Sequence, residues 1–190
     1  MTATPPLYIL RHGETTWNAT GRLQGHFHAD LTARGRAQAQ AQRQILQSEN
    51  LSGFQALSSP QGRALETAEI AVAGLVKEIL TDSALAEVGL GDWAGMSRGD
   101  LITQTGVRDG FDLYDYAPGG EGLTALHARC TAFLNRLVRP SVLITHGITS
   151  RMLRLILTGR PISDLRCIAG GQGVVFHLKD GVQERLIFGA

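Results

Sequence analysis

The chain has 190 residues, of which 43% are hydrophobic, enough for one domain with a core of ordinary size. Its 18 basic and 17 acidic side chains give a net charge of +1, which argues against a nucleic-acid partner because little positive excess remains to neutralise phosphates. No apolar stretch reaches membrane-spanning length and no basic leader precedes one, so we expect a cytoplasmic protein without a membrane partner. Cys130 and Cys167 form no CxxC pair, which predicts reduced thiols.

Short apolar runs rich in β-forming residues alternate with longer segments of helical period, which predicts an α/β fold with helices on both faces of a mostly parallel sheet. The turn Lys179-Asp180-Gly181 predicts a hairpin and hence an antiparallel edge strand. Thr32 and Thr149 are expected to cap helices. The predicted elements in chain order are strand Leu7 to Arg11, helix Thr32 to Ser48, strand Phe54 to Ser58, helix Gln61 to Val76, strand Glu78 to Leu80, helix Leu123 to Leu137, strand Ser141 to Thr145, helix Ile148 to Leu157, strand Val174 to Leu178 and strand Glu184 to Phe188.

The segment from Gly89 to Gly122 differs from the rest of the chain because it is rich in glycine, with several aromatic and acidic residues. We expect it to form an irregular, lid-like excursion beside the functional site, within a single domain that spans residues 1–190.

Two of the predicted strands end in the same dipeptide. His12-Gly13 follows the strand that ends at Arg11, and His146-Gly147 follows the strand that ends at Thr145. Ligands of open α/β sheets bind beyond the carboxyl ends of the strands, and a glycine there lets the backbone approach a ligand closely. The repetition indicates one shared pocket.

Further charged residues are expected in this pocket. Arg63 lies in the first turn of a helix that follows a third strand, and with Arg11 and the two histidines it would form a site for a dianion. Glu87 adds a carboxyl group that could exchange protons with a leaving group.

With these residues, the chain resembles the histidine phosphatase superfamily, in the branch that includes phosphoglycerate mutases. The resemblance runs almost end to end and implies a phosphoglycerate mutase-like fold with three layers, α/β/α. The blocks that carry it are Arg11-His12-Gly13-Glu14-Thr15-Thr16-Trp17-Asn18, Gly21-Arg22-Leu23-Gln24-Gly25, Leu31-Thr32-Ala33-Arg34-Gly35, Ser58-Ser59-Pro60-Gln61-Gly62-Arg63-Ala64-Leu65-Glu66-Thr67-Ala68, Leu85 to Gly95, Gly119-Gly120-Glu121 and Thr145-His146-Gly147.

The resemblance implies a role for each matching residue. His12 would attack phosphorus to form a phosphohistidine, and Arg11, Arg63 and His146 would bind the phosphoryl oxygens. Glu87 would protonate the leaving alkoxide and then accept a proton from water. Asn18 and Gln24 would donate neutral hydrogen bonds to the substrate, and the backbone at Gly13 and Gly147 would approach it closely. The resemblance implies no metal ion and no cofactor, since cationic side chains neutralise the charge.

The chain departs from the family pattern at three places. Asp30 stands where many relatives have proline, Gly122 follows Glu121 where serine is typical, and Gly170-Gly171-Gln172-Gly173 stands where an asparagine is frequent.

Several alternatives remain at this point. Arg63 could pair with Glu66, and Asp92 or Glu121 could be the acid in place of Glu87. The string His26-Phe27-His28-Ala29-Asp30 could begin a metal site.

The sequence predicts a metal-independent phosphomonoesterase that acts on a small phosphorylated metabolite. The alternatives are a phosphoglycerate mutase-type phosphoryl transfer, a noncatalytic phosphate-binding module and a metal-dependent hydrolase. Mutases of this family tend to have a longer and more basic insert, whereas the segment between Glu87 and Gly119 has only Arg98 and Arg108 as basic residues.

Overall fold

The computed structural model describes residues 4–189 and contains a six-stranded sheet with helices packed on both faces. Among the described residues, no helix is both long and apolar enough to cross a lipid bilayer. The strands are β1 (Leu7–Arg11), β2 (Gln55–Ser58), β3 (Ile79–Thr81), β4 (Ser141–Thr145), β5 (Val174–Lys179) and β6 (Val182–Ile187). The α-helices are α1 (Thr16–Ala19), α2 (Ala33–Gln47), α3 (Gly62–Val72), α4 (Arg98–Thr105), α5 (Asp112–Tyr116), α6 (Gly122–Arg136) and α7 (Gly147–Leu157).

The sheet has the strand order β3-β2-β4-β1-β5-β6. The four strands from β3 to β1 run parallel, whereas β5 is antiparallel to β1 and β6 is antiparallel to β5. The carboxyl ends of β1, β2 and β4 therefore meet at one edge of the sheet. The predicted α/β class and mostly parallel sheet are confirmed, although two strands rather than one are antiparallel.

The alternation of side chains along β1 explains the three layers. Leu7 and Ile9 belong to a core that includes α6 and α7, whereas Tyr8 and Leu10 belong to a second core that includes α2 and α3. Since β1 is buried on both faces, its sequence is a continuous apolar run rather than an alternating one.

The hairpin between β5 and β6 follows from its turn residues. Lys179 pairs with Val182, so Asp180 and Gly181 form a two-residue loop, and both have positive φ angles of 52° and 75°. An Asp-Gly pair is typical of this turn, in which both central residues need positive φ.

Helix ends show where the sequence prediction was accurate and where it was wrong. Thr32 caps α2, since its hydroxyl accepts a hydrogen bond from Gly35 N at 3.0 Å. In contrast, α3 ends at Val72 instead of Val76, because the chain turns through Ala73 into Gly74, whose φ is 75°.

The excursion from Gly89 to Gly122 is more regular than predicted. It contains α4, α5 and a short 3₁₀ turn over Gly91–Trp93. The side chain of Asp115 supplies the cap that Gly122 cannot, because its Oδ1 accepts a hydrogen bond from Leu123 N at 3.0 Å at the beginning of α6. The excursion is therefore an ordered wall beside the carboxyl edge of the sheet.

Candidate active site

Three parallel strands end side by side where the two His-Gly pairs lie. Directly after β1, His12 N donates a hydrogen bond to Thr145 O at 2.9 Å, and directly after β2, Ser59 N donates to Ile144 O at 2.9 Å. His146 follows β4, and its ring centroid lies 5.1 Å from that of His12. The structure therefore brings the two pairs together.

The contacts of His12 define its protonation state. Nδ1 lies 2.7 Å from Gly13 O, and Arg63 Nε donates a hydrogen bond to Nε2 at 3.2 Å. Because a carbonyl only accepts and a guanidinium only donates, the ring is neutral, with its proton on Nδ1 and its lone pair on Nε2. Burial, together with the charges of Arg63 and Arg11, lowers the pKa of His12 well below its usual value. Nε2 is thus available as a nucleophile at neutral pH.

Gly13 fixes the position of this ring. Its carbonyl accepts from His12, and its N donates a hydrogen bond to Thr67 Oγ1 at 3.1 Å. A Cβ atom on Gly13 would lie 2.2 Å from Gly35 O, and one on Gly35 would lie 2.1 Å from Glu14 O. Both positions require glycine because the loop after β1 packs directly against the backbone of α2. In the structure Gly13 holds His12 rather than lining the cavity.

Arg63 is held rigidly at the beginning of α3. It is only 2% exposed, and its two terminal nitrogens donate hydrogen bonds to Gly25 O and Phe27 O, each at 2.8 Å. Burial lowers the pKa of Arg63 to about 10, with Glu87 acting in the opposite direction, so the guanidinium is charged at neutral pH. With its contacts to His12 Nε2 and Gln61 Oε1, four of its five N–H groups are engaged, which leaves one for a ligand. Glu66, the alternative partner, pairs with Arg36 at 2.7 Å instead.

Arg11 ends β1 and lines the cavity. Burial lowers the pKa of Arg11, and Glu87 opposes that effect. Its guanidinium lies over Gly147, where a Cβ atom would be 3.4 Å from both Nε and Cζ. Nε is buried and has no hydrogen-bond partner among the described residues. An anion in the cavity would supply the missing acceptor.

His146 lies behind His12 and is fully buried. Its Nε2 is hydrogen-bonded to Ser59 Oγ at 2.7 Å, whereas its Nδ1 is buried without a partner within residues 4–189. Burial is the main cause that lowers the pKa of His146, followed by the charge of Arg63. His146 does not line the cavity itself. Its Nδ1 is the ring nitrogen that has no hydrogen-bond partner within residues 4–189, so it is the atom that could contact a ligand.

Glu87 occupies the N-terminus of α7. Its Oε2 accepts a hydrogen bond from Ile148 N, and its Oε1 accepts from Thr149 N and Val88 N, all at 3.1 Å. These hydrogen bonds hold the Glu87 carboxyl group in place at the beginning of α7. Among the described residues, Oε2 accepts only the hydrogen bond from Ile148 N, and it lies beside Gly147, as the Arg11 guanidinium does. Oε2 is therefore the oxygen that could contact a substrate.

Thr149 does not cap α7, as the sequence had suggested, because the helix begins at Gly147 and His146 is its N-cap residue. The Thr149 hydroxyl instead lies 2.8 Å from Ala86 O and 3.1 Å from Glu87 Oε1, so it positions the carboxylate.

The two other acids considered from the sequence are placed differently. Asp92 is exposed, whereas Glu121 accepts two hydrogen bonds from the fork of Arg129, at 2.7 and 2.8 Å. Although burial raises the pKa of Glu121, these bonds bring it below the usual value. Glu121 is therefore engaged in a structural ion pair.

Polar amides line the opposite wall. Asn18 and Gln24 both line the cavity, and Gln24 Nε2 donates a hydrogen bond to Thr15 Oγ1 at 2.6 Å. Gln24 Oε1 is buried without a partner in the described part of the chain. If the amide oxygen and nitrogen are exchanged, Thr15 can donate a hydrogen bond to Oε1 and the NH₂ group faces a ligand. Gln172 belongs to the Gly170 to Gly173 segment, which departs from the family pattern, but it was not predicted as a site residue. Its Nε2 lies 3.2 Å from His12 O and 3.3 Å from Asn18 Oδ1.

These groups surround a cavity of about 250 Å³. Several residues that line this cavity were not predicted as site residues. Arg151 could have been found from helical spacing, since it follows Gly147 by one turn of α7. The others come from surface loops and the excursion, whose path the sequence does not define. The missed lining residues with polar or aromatic side chains are Arg22, Arg98, Phe111, Tyr114 and Arg151.

The string from His26 to Asp30 does not form a metal-binding cluster. His26 Nε2 lies 2.9 Å from Glu87 O, whereas His28 Nε2 lies 2.9 Å from Asp30 Oδ1 at the surface. Within residues 4–189, no group of three or more His, Cys, Asp or Glu side chains is arranged to hold a metal ion.

Comparison with known proteins gives consistent matches. The family model of the histidine phosphatase superfamily (branch 1) matches residues 7–181. Phosphoglycerate mutase-like protein 4 of Arabidopsis thaliana is 36% identical over 77% of this chain and 68% of its own length. Glucosyl-3-phosphoglycerate phosphatase of Mycolicibacterium vanbaalenii is 32% identical over 88% of this chain and 80% of its own. The structure of a mycobacterial glucosyl-3-phosphoglycerate phosphatase with VO₃ superimposes with a TM-score of 0.80 at 26% identity, covering 98% of this chain and 99% of the other.

Proposed function

Because the chain belongs to branch 1 of the histidine phosphatase superfamily, we propose that it hydrolyses a small phosphorylated metabolite through a phosphohistidine formed on His12. The observation that carries this proposal is the neutral His12 ring, whose Nε2 lone pair lies beside the charged Arg63 in the cavity. A phosphate-binding module needs cations but no neutral, oriented nucleophile. Two of the relatives described above are named as phosphatases, which supports hydrolysis as the reaction.

A bound phosphoryl group would supply acceptors for buried donors that have no hydrogen-bond partner among the described residues. The phosphoryl oxygens would accept hydrogen bonds from Arg11 Nε, from the free N–H group of Arg63 and from His146 Nδ1. For that contact the proton of His146 must lie on Nδ1, with Nε2 accepting from Ser59 Oγ. The backbone of Gly147 and the amides of Asn18 and Gln24 would complete the site.

In the first half of the reaction, His12 Nε2 would form a bond to phosphorus while the bond from phosphorus to the ester oxygen breaks. The proton stays on Nδ1 and is donated in a hydrogen bond to Gly13 O, and this bond stabilises the positive charge that the ring acquires. Arg63 Nε would move its hydrogen bond from Nε2 to a phosphoryl oxygen as the lone pair is consumed. Positioned cations of this kind stabilise the transition state for phosphoryl transfer without a metal ion.

Glu87 would handle the protons. In its protonated form it would give a proton to the departing alkoxide, and the resulting carboxylate would take a proton from the water that attacks the phosphohistidine. The second step breaks the bond between phosphorus and Nε2, releases inorganic phosphate and restores the neutral ring. In both steps, hydrogen bonds from Ile148 N and Thr149 N hold the Glu87 carboxyl group beside Arg11.

A mutase reaction is the nearest alternative, and it would use the same phosphohistidine. One observation favours it: Arg98, from the excursion, does line the cavity and could hold a second group of the product. Arg108 is directed to Asp112 instead, at 3.8 Å, so the excursion gives the cavity a single basic side chain. We therefore favour water as the acceptor of the phosphoryl group.

The decisive experiment measures hydrolysis of p-nitrophenyl phosphate by metal-free protein in EDTA. The wild type should be active, and His12→Ala should lose at least about 100-fold in kcat. His127→Ala is a matched control, because His127 lies on α6 outside the cavity. Retained activity in His12→Ala, or loss of wild-type activity in EDTA, would refute the proposal. With 3-phosphoglycerate and a bisphosphate primer, free phosphate is expected, and formation of the 2-isomer would identify a mutase.

A further inference from the structure

Gln42 is a buried amide on the face of α2 that packs against the sheet. The side chain is fully buried, and the other buried residues of α2 are glycine, alanine, isoleucine and leucine. Burying an amide costs free energy unless hydrogen bonds replace those to water. Gln42 Oε1 has no partner within the part of the chain that the structure describes. An amide with one unpaired end adds less stability than a fully bonded one, so stability alone is a weak reason for a glutamine here.

The other end of this amide joins two strands where their ladder ends. The last pair between β1 and β5 is Leu10 with Val175. Gln42 Nε2 donates hydrogen bonds to Arg11 O at 2.9 Å and to Val174 O at 3.1 Å, which are the next carbonyls beyond that pair. Both partners only accept and the NH₂ group has two hydrogens, so the orientation of the amide is defined. We call this junction of Arg11 with Val174 the β1–β5 fork.

One branch of the fork leads directly to the nucleophile. Arg11 lines the cavity, and His12 is the next residue. The peptide group between them is planar, so the direction of Arg11 O also sets the direction of His12 N. Gln42 holds the first of these atoms, and the second donates a hydrogen bond to Thr145 O at 2.9 Å. The peptide group before the His12 ring is therefore fixed from both sides.

The other branch leads to Gln172. This residue precedes Val174 by two positions, and its Nε2 lies 3.2 Å from His12 O. Two consecutive carbonyls, Arg11 O and His12 O, thus accept hydrogen bonds from two different glutamine amides. Because Gln42 contacts both branches, it also fixes the distance between the end of β1 and the segment that carries Gln172.

We propose that Gln42 is a positioning residue for His12. By donating to both carbonyls of the β1–β5 fork, it holds the peptide group before His12, so that the imidazole keeps the orientation needed for attack. Gln42 does not line the cavity, so it acts through Arg11 and His12. This proposal rests on the proposed function, because it takes His12 Nε2 to be the atom that attacks phosphorus. Displacing a reacting group by ~1 Å can slow a reaction about 100-fold.

The variant Gln42→Met separates this role from simple filling of the core. Methionine has nearly the shape of glutamine but no N–H group, so the variant loses both hydrogen bonds to the fork and also removes the unpaired Oε1. These two effects partly cancel, and the melting temperature should fall by no more than about 5 °C. With p-nitrophenyl phosphate, kcat should nevertheless fall at least about 10-fold. KM should change less than about 3-fold, because other contacts hold Arg63 and His146.

A second readout does not depend on catalysis. His12 Nδ1 is buried and lies 2.7 Å from Gly13 O, so its proton should exchange slowly with solvent and give a separate signal in proton NMR spectra. The signal is assigned by its absence from His12→Ala. In Gln42→Met this proton should exchange at least about 10-fold faster, because the peptide group before the ring is no longer fixed from both sides.

Gln55→Met is the matched control. Gln55 Nε2 also joins two neighbouring strands, since it donates a hydrogen bond to Ser141 Oγ at 3.0 Å. It lies where β2 and β4 begin, at the opposite edge of the sheet from His12. The control should keep the wild-type kcat and the wild-type exchange of the His12 proton. If Gln42→Met does not fold, Gln42→Asn replaces it, because its amide is one methylene too short to reach both carbonyls, and the same losses are expected.

The outcomes separate the two proposals. A wild-type kcat in Gln42→Met would overturn the positioning role and leave the phosphatase intact, and equal losses in Gln55→Met would do the same. If the wild type does not hydrolyse p-nitrophenyl phosphate, the phosphatase proposal fails and the exchange of the His12 Nδ1 proton decides. Faster exchange in Gln42→Met then supports the positioning role, and unchanged exchange overturns it.

Discussion

Gly35 offers a test of how the site is held, because two effects predict opposite changes in the free energy of unfolding when alanine replaces it. Gly35 lies in the first turn of α2, where alanine should gain about 1 kcal/mol in helix propensity. The new Cβ atom, however, would lie 2.1 Å from Glu14 O, and backbone atoms cannot move aside as a flexible side chain can. To reach an ordinary contact of about 3.4 Å, α2 and the loop after β1 must separate by more than 1 Å. Overpacking of this kind typically costs about 1–3 kcal/mol.

After the gain in helix propensity is subtracted, we expect Gly35→Ala to lower the free energy of unfolding by up to about 2 kcal/mol, measured by urea denaturation, or the melting temperature by several degrees. Because the moved loop begins at His12, kcat should fall as well. Gly99→Ala is the matched control, since Gly99 also lies in a helix, α4, and its new Cβ would have no neighbour closer than 3.9 Å. That variant should be as stable as the wild type or more stable. If Gly35→Ala is stabilised like Gly99→Ala, the close packing inferred here is wrong.

Three further predictions concern the site. Burial lowers the pKa of His12 and His146, so below about pH 6.5 these histidines bind protons in the unfolded chain but not in the folded one. The free energy of unfolding should therefore be fully maintained above that pH and decrease below it. The decrease should reach up to about 1.4 kcal/mol per pH unit for each histidine. His146→Asn should flatten this dependence in urea titrations, and an unchanged slope would contradict it. Ser59→Ala removes the hydroxyl that is hydrogen-bonded to His146 Nε2 and leaves this buried atom without a partner, so kcat should fall about 10-fold and the free energy of unfolding by about 1–3 kcal/mol. An undiminished kcat would show that Ser59 does not orient the ring. Gln172→Ala should raise KM several-fold by releasing Asn18, and an unaltered KM would exclude that role.

The sequence predicted those parts of the fold that depend on local pattern. The apolar run Leu7 to Leu10, the Asp180-Gly181 turn and the Thr32 cap each have a short-range physical cause, and each is found in the structure. The end of α3 and the helices of the excursion were not predicted. Periodicity is weak in such short or glycine-rich segments, so tertiary contacts decide where they begin and end.

The candidate site, like the fold, could be predicted from the sequence only in part. His12, His146 and Arg63 could be placed together because the two histidines directly follow strands, Arg63 lies in the first turn of the helix after a third strand, and parallel strands end at one edge. Thr149, Gln172 and Tyr114 could not, because their roles depend on how α7, the segment before β5 and the excursion fold back over that edge.

The position of β1 in the sheet has a consequence for the order of folding. Both neighbours of β1 come from far along the chain, since it pairs with β4, which begins at Ser141, and with β5, which begins at Val174. During synthesis, the run Leu7 to Leu10 therefore has neither of its partner strands until β4 has left the ribosome. His12 is made early, but it meets His146 only when β4 pairs with β1. The two histidines of the candidate site therefore cannot come together before strands from distant parts of the chain have paired.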